Sequence, residues 1–110
     1  LMARPAAETA EVPSRHGLAG PYCAYVGGDD WRKNLTTAVL AFAQFWRTHP
    51  THRLAIVCKL ADERIAALHR LAAAEGLPPG AVVCTGYVSD EDLVGLVRHA
   101  DLVVFPSLYE

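Results

Sequence analysis

Several features that would place a protein in a specialised class are scarce or missing in this chain of 110 residues. No apolar run reaches the roughly 18 residues that a membrane-spanning helix needs, so no such helix is expected. The formal net charge of −2 at pH 7 argues against general binding to nucleic acid or to anionic membranes, which requires a basic surface. The first twenty residues carry no signal-peptide core. A few local basic side chains can still hold a single phosphate group.

Patterns of metal ligands and disulfides are also lacking. The three cysteines, Cys23, Cys58 and Cys84, each lie inside an apolar run and show no metal-ligand spacing. Such cysteines are typical of buried thiols in a reducing compartment, which favours a cytoplasmic location. Of the five histidines, His49 and His52 lie three residues apart, but they flank a predicted turn, so no metal site is predicted.

The composition is that of one globular domain or part of one, with 52% apolar and 20% charged residues. Residues 1–21 are rich in Ala, Pro, Glu, Arg and Gly without a hydrophobic period, which predicts a linker or the tail of a preceding segment. Residues 22–110 are predicted to form one partial domain. A start at Leu1 and an end at Glu110 suggest a segment of something longer.

Strands and helices alternate in the predicted domain. Short apolar runs predict buried strands at residues 22–27, 53–58, 81–85 and 102–105. Apolar residues at steps of three and four predict helices at 33–49, ended by Pro50, at 62–76, ended by Gly76, and from Ser89 through Val97. Ser89 with Asp92 three residues later resembles a capping box. This order predicts an α/β fold of Rossmann-like type, with three layers (α/β/α) and a parallel sheet of about four strands.

Ligands of such sheets bind beyond the carboxyl ends of the strands. The first predicted strand ends at Gly27 and Gly28, which allow the backbone to approach a ligand closely. Lys33 lies at or beside the N-terminus of the next helix, where a cation is unfavourable unless an anion is bound. Lys33 is therefore either a phosphate ligand or a solvated side chain, and Arg32 either assists it or faces solvent. The pair Asp29–Asp30 is interpreted as turn and capping residues rather than as a metal site.

Three further loops reach the same end of the predicted sheet. Lys59 follows the second strand and is either a ligand contact or a surface residue. Tyr87 and Val88 follow the third strand, and they either form the apolar wall of a base pocket or pack on the next helix. Glu110 follows the fourth strand, and it either accepts hydrogen bonds from ligand hydroxyl groups or faces solvent. Spacing alone leaves each of these alternatives open.

Three motifs together resemble a known family. They are V-G-x-x-x-x-R-K-N-L, G-Y-V-S-D-E-D-L and A-D-L-V-V-F-P-S-L-Y-E, in that order. The arrangement is similar to the C-terminal, donor-binding domain of group 1 (RfaB-like) glycosyltransferases, which are enzymes of the GT-B fold. These are retaining, metal-independent enzymes with two Rossmann-like domains that face each other across a cleft. The resemblance covers about residues 22–110, nearly all of the predicted domain.

The resemblance implies roles for individual residues. The lysine of the K-N motif, Lys33, contacts the diphosphate of the donor, and Gly27 and Gly28 lie under the same phosphates. Many members of the family have arginine where this chain has Gly28, so Arg32 or Lys59 is expected to compensate for the missing cation.

The other two motifs line the rest of the donor site in the family. By resemblance, Tyr87 and Val88 border the nucleobase. Glu110 matches the first of two glutamates and lies near the donor sugar. Lys33 and Glu110 are therefore the residues to which the resemblance assigns catalytic roles.

The activity implied by the resemblance is transfer of a sugar from a nucleotide sugar to a glycan, a lipid or a small molecule, with retention at the anomeric carbon. No metal cofactor is expected, and the full-length enzyme is expected in the cytoplasm or peripherally at the membrane. The chain alone is expected to be inactive because the acceptor domain is missing, and its unfinished sheet is expected to self-associate. The alternatives are a non-catalytic Rossmann-type module that binds a nucleotide or a protein, and a nucleotide-sugar epimerase.

Overall fold

The structure, a computed structural model, describes residues 9–27 and 32–104, with only the helical backbone described at Arg32 and Lys33. The helices are α1 (Val12–Arg15), α2 (Arg32–Trp46), α3 (Asp62–Ala74) and α4 (Asp90–His99). The strands are β1 (Tyr22–Val26), β2 (Arg53–Val57), β3 (Val82–Cys84) and β4 (Leu102–Val104). Within the described ranges, no helix combines the length and the apolar character that crossing a membrane requires.

The four strands form one parallel sheet in the order β3-β2-β1-β4. Cys23 of β1 pairs with Leu54 of β2 on one side and with Leu102 of β4 on the other. The chain moves from β1 to β2 to β3 in one direction and then crosses back to place β4 on the far side of β1. The strand order therefore reverses between β1 and β4, which is the switch point where doubly wound sheets bind their ligands.

Two apolar clusters cover the two faces of the sheet. Alternate residues of β1 point to opposite faces because side chains alternate along a strand. Tyr25 lies in the cluster formed with α2 and α3, and Ala24 lies in the cluster formed with α1 and α4. The predicted three-layer, Rossmann-like α/β fold is confirmed.

Most predicted boundaries agree with the structure to within one or two residues, but the end of α2 was predicted wrongly. The helix ends at Trp46 and not near His49. The N–H groups of Arg47 and Thr48 bond to carbonyls three residues back, at 3.3 and 3.2 Å, so the last turn tightens before Pro50 is reached. The stop at Gly76 is confirmed by its left-handed φ of +88°.

The described part of the predicted linker, residues 9–21, is packed structure. Val12 of α1 and Leu18 are buried in the cluster between the sheet and α4. A segment this short shows no hydrophobic period, and its burial depends on residues far away in sequence. Residues 9–21 therefore pack against the sheet and α4, whereas residues 1–8 lie outside the described ranges. The assignment of residues 1–21 as a linker or the tail of a preceding segment stays a prediction.

The predicted thiols lie inside the fold. Cys23 and Cys58 are buried, Cys84 is half-buried, and none of them forms a disulfide. Burial raises the pKa of the Cys23 and Cys84 thiols, with a smaller contribution at Cys23 from the charge of Asp101. These two side chains therefore remain neutral, in agreement with their predicted structural role.

Candidate functional site

The candidate site lies at the carboxyl end of the sheet, next to the switch point. Strand β1 ends at Val26, and half-buried Gly27 leads the chain out of the sheet. Helix α2 begins at Arg32, so its N-terminus lies at the same end of the sheet as Gly27. Two elements that could approach a ligand with backbone groups, a glycine turn and a helix start, thus come from one connection.

The first turn of α2 carries cations and no carboxylate. Arg32 and Lys33 occupy it, and none of its residues is acidic. A helix N-terminus carries unsatisfied N–H groups and about half a positive charge, which repels cations and attracts anions. The arrangement is therefore suited electrostatically to an anion such as a diphosphate.

Lys59 lies at the same end of the sheet. It is exposed and comes directly after Cys58, at the end of β2, which is the hydrogen-bonded neighbour of β1. Adjacent strands lie about 4.8 Å apart, so the connections after β1 and β2 are neighbours. This exposure agrees with both predicted alternatives for Lys59, a ligand contact and a surface residue, so its role stays a prediction.

The connection after β3 is held by backbone and hydroxyl contacts. The N–H of Thr85 donates to the carbonyl of Ile56 at 3.1 Å, and its hydroxyl donates to the carbonyl of Gly86 at 3.0 Å. Gly86 adopts a φ of +74°, a conformation that other residues rarely adopt. This turn leaves Tyr87 78% exposed, whereas Val88 packs against the apolar cluster beneath it. Val88 thus packs and Tyr87 is accessible to a ligand, while the predicted place of both residues beside the nucleobase stays a prediction.

The start of α4 adjoins this connection and holds a charged cluster. The hydroxyl oxygen of Ser89 accepts the N–H of Asp92 at 3.1 Å, which confirms the serine half of the predicted capping box. The carboxylate of Asp92 accepts hydrogen bonds from His16 Nε2 at 2.8 Å and from Arg15 Nη2 at 3.0 Å. The bond from His16, followed by the bond and charge of Arg15, holds the pKa of Asp92 below its ordinary value. The sequence carried no signal for this cluster, because its members lie more than 70 residues apart.

A second histidine–aspartate pair lies at the opposite end of the sheet. His52 Nε2 donates to Asp101 Oδ2 at 2.8 Å, and these two residues precede β2 and β4 directly. The ring of His52 packs edge-on against Phe45 and against His49, at centroid distances of 5.2 and 5.5 Å. Within residues 9–27 and 32–104, no three metal-ligating side chains converge, either here or elsewhere.

An apolar groove runs beside β4 on the face covered by α2. Its volume is about 430 Å³, and it is lined by Tyr25, Phe42, Phe45, Leu102 and Val104 among others. Few polar atoms reach it, so it does not provide the charge complementarity that a diphosphate requires.

Not every predicted site residue can be placed. Gly28, the pair Asp29–Asp30 and Glu110 lie outside the described residues, and the same holds for the side chains of Arg32 and Lys33. The structure brings Gly27, the start of α2, Lys59 and Tyr87 to one end of the sheet. The roles assigned to all these residues stay predictions.

Comparisons with known proteins point to one family. Residues 8–110 match the family model described as "Glycosyl transferases group 1". Two curated proteins from Escherichia coli, both named "Serotype-specific mannosyltransferase WbdA", are 31% identical to the chain over 83 residues. The aligned region covers 72% of this chain but only 10% of each relative, so the chain spans about a tenth of their length.

Proposed function

This chain belongs to the group 1 glycosyltransferases, and we propose that it supplies the donor-binding part of an enzyme that transfers a sugar from a nucleotide sugar to an acceptor. The observation that carries the proposal is the position of the start of α2. This helix N-terminus, with Arg32 and Lys33 in its first turn, lies at the carboxyl end of β1 beside the switch point of the sheet. Nucleotides bind at this position in doubly wound folds.

The diphosphate of the donor is proposed to bind at the start of α2. Gly27 lets the backbone approach the phosphates, Lys33 contacts them, and the helix N-terminus adds a positive potential. The chain has Gly28 where many family members have a second cation, so Arg32 or Lys59 is proposed to replace it. The exposure of Lys59 at the end of the neighbouring strand supports this assignment.

The nucleobase is proposed to lie against Tyr87. Tyr87 is 78% exposed beside a glycine turn, so its flat aromatic ring offers a stacking surface to a planar base. Strand β3 lies two strands from β1, which corresponds to about 10 Å. A nucleoside diphosphate can extend over this distance, from phosphates at α2 to a base at Tyr87.

The proposed chemistry is glycosyl transfer with retention at the anomeric carbon and without a metal ion. As the bond between sugar and diphosphate breaks, negative charge develops on the leaving phosphate oxygens. Lys33 and the N–H groups at the start of α2 would stabilise this charge, because they are oriented before the reaction begins. Glu110 is proposed to lie near the donor sugar.

A mannosyl donor is proposed as the first substrate to examine. The relatives from Escherichia coli are named as mannosyltransferases. In the full-length protein, a thermal-shift panel of UDP-, GDP- and ADP-sugars that includes the mannosides should show stabilisation by the true donor, since a ligand of the folded state raises apparent stability. Absence of any shift at millimolar concentration would contradict the proposed donor site.

Replacement of Lys33 tests the proposed phosphate contact. We expect Lys33→Ala in the full-length enzyme to lose about 100- to 1,000-fold in kcat while unfolding at the same temperature as wild type. Arg47→Ala is the matched control, because Arg47 is an exposed cation just beyond the other end of α2. Near-normal turnover of Lys33→Ala would refute the assignment, as would an equal loss in both variants.

A further inference from the structure

The N-terminal strap, residues 9–18, lies along α4 and contacts it near both ends. At one end, the hydroxyl of Thr9 is hydrogen-bonded to His99 Nε2 at 2.8 Å. At the other end, Arg15 and His16 bond to the carboxylate of Asp92. The strap therefore runs antiparallel to α4 and fixes it at two points.

The two points where the strap contacts α4 lie at opposite ends of the sheet. Helix α4 connects the end of β3 to the start of β4, so it runs antiparallel to the strands. Asp92 consequently lies at the carboxyl end of the sheet, where the donor is proposed to bind. His99 lies at the amino end, away from the donor.

Asp92 links the strap to the connection that carries Tyr87. Its side chain holds the strap, and its backbone N–H holds the hydroxyl oxygen of Ser89 at the end of that connection. Val88, next to Tyr87, packs against the same apolar cluster as Val12 and Leu18 of the strap. The connection that carries Tyr87 is therefore anchored on both sides by polar and apolar contacts with residues more than 65 positions away in sequence.

The ion pair between Arg15 and Asp92 is expected to fix the position of the start of α4 more than it stabilises the fold. Arg15 is 55% exposed and Asp92 is 23% exposed at the side chain, and ion pairs of this kind stabilise proteins only slightly. The strap also has its own apolar anchors, Val12 and Leu18. Loss of the charged contact should therefore leave the strap folded while it frees the start of α4 to shift.

We propose that His16 and Arg15, acting through Asp92, are positioning residues that hold the start of α4 and the connection before it so that Tyr87 meets the nucleobase. This inference rests on the proposed function. It predicts that the strap affects recognition of the base and leaves recognition of the phosphates unchanged, because Lys33 and Gly27 belong to a different connection.

Calorimetric binding to the full-length protein tests this role. The probes are UDP, GDP, ADP and inorganic diphosphate. We expect His16→Ala to raise the Kd of the preferred nucleoside diphosphate by about two- to thirtyfold, with unchanged stoichiometry and an unchanged Kd for inorganic diphosphate. His16→Gln keeps an N–H group that can donate to Asp92 and should recover most of the affinity.

The chain offers a closely matched control. The His52–Asp101 pair has the same chemistry and the same distance of 2.8 Å, but it lies at the amino end of the sheet. His52→Gln and His52→Ala should therefore leave the Kd of the nucleoside diphosphate at the wild-type value, whatever they do to stability.

The binding results distinguish failure of the positioning role from failure of the proposed function on which it rests. An unchanged Kd in His16→Ala would overturn the positioning role, as would a fall in stoichiometry alone, which reports loss of folded protein. Equal weakening of nucleoside diphosphate and inorganic diphosphate would overturn it as well. Wild-type protein that binds none of the three nucleoside diphosphates would refute the proposed function and this inference together.

Discussion

At the scale of single residues, Tyr22 shows how one polar atom joins the sheet to a helix. It is the first residue of β1 and is almost fully buried. Its hydroxyl donates to the carbonyl of Leu96 in α4 at 2.6 Å. Burial, with a smaller contribution from the charge of Asp101, raises the pKa of Tyr22 to about 12. The neutral phenol is therefore the form that the fold favours.

Tyr22→Phe should destabilise the fold in a way that depends on pH. At neutral pH we expect a loss of about 1 kcal/mol, the typical contribution of one hydrogen bond. The pKa of Tyr22 rises from 10 in the unfolded chain to about 12 in the fold. The stabilisation by its neutral hydroxyl is therefore complete below pH 10 and is lost as the pH rises towards 12. Urea unfolding of both proteins between pH 7 and about 11 should show their difference narrowing above pH 10. A difference that stays constant would contradict this account.

At the scale of elements, the contact between α1 and α4 depends on a glycine. Gly95 lies in the middle of α4, and Val12 of α1 packs directly over it. A Cβ atom built on Gly95 would lie 2.8 Å from the Cβ and Cγ2 atoms of Val12, closer than carbon atoms tolerate. The missing side chain therefore lets α1 lie against α4, which places Arg15 and His16 near Asp92.

Gly95→Ala should destabilise the protein although alanine is the better helix former. Alanine gains about 1 kcal/mol in a helix interior, but overpacking typically costs about 1–3 kcal/mol. We expect a net loss of stability on chemical unfolding and weaker protection of the strap from proteolysis.

The double variant Val12→Ala/Gly95→Ala is the check on that mechanism. Because the shorter side chain leaves α1 room to adjust, the double variant should lose less stability than the sum of the two single variants. Strict additivity would show that the two residues do not clash.

At the scale of the whole molecule, the sheet has an apolar edge at β4. Leu102 and Val104 of this strand are 56% and 42% exposed, and the groove of about 430 Å³ lies beside them. Within residues 9–27 and 32–104, no strand pairs with the outer side of β4. Its backbone N–H and C=O groups and its apolar side chains are thus open to another chain.

The isolated chain of 110 residues should therefore self-associate as its concentration rises. Leu102→Lys should shift the equilibrium towards monomer, because a charge on an edge strand opposes pairing. Leu40→Lys is the matched control, since Leu40 is an exposed apolar residue on α2 rather than on β4. Sedimentation velocity over a broad range of concentrations measures both effects. A monomer at every concentration would contradict the prediction.

Local chemistry made much of the fold predictable. The apolar runs of β1 and β2 are near-continuous because helices cover both faces of the sheet, and this pattern is visible in sequence. Gly76 and Ser89 end and begin helices through contacts with residues within a few positions. The glycine turn at Gly27 and the helix after it were also predicted from residues within a few positions. The parallel arrangement of the strands was predicted in the same way, because alternating strands and helices imply crossovers between parallel strands.

The strap, the Arg15–His16–Asp92 cluster and the His52–Asp101 pair were decided only by the tertiary structure. The hydrogen-bonded partners in these contacts lie 49 to 90 residues apart, and no local period or turn signal connects them. Residues 12–15 form a helix too short to show amphipathic spacing, so only contact with Gly95 and the sheet buries Val12. The sequence by itself determined which segments of residues 22–104 are strands and helices, and it predicted the end of the sheet at which a ligand would bind. The tertiary structure decided which distant side chains meet, because contacts between residues far apart in sequence exist only after the chain has folded.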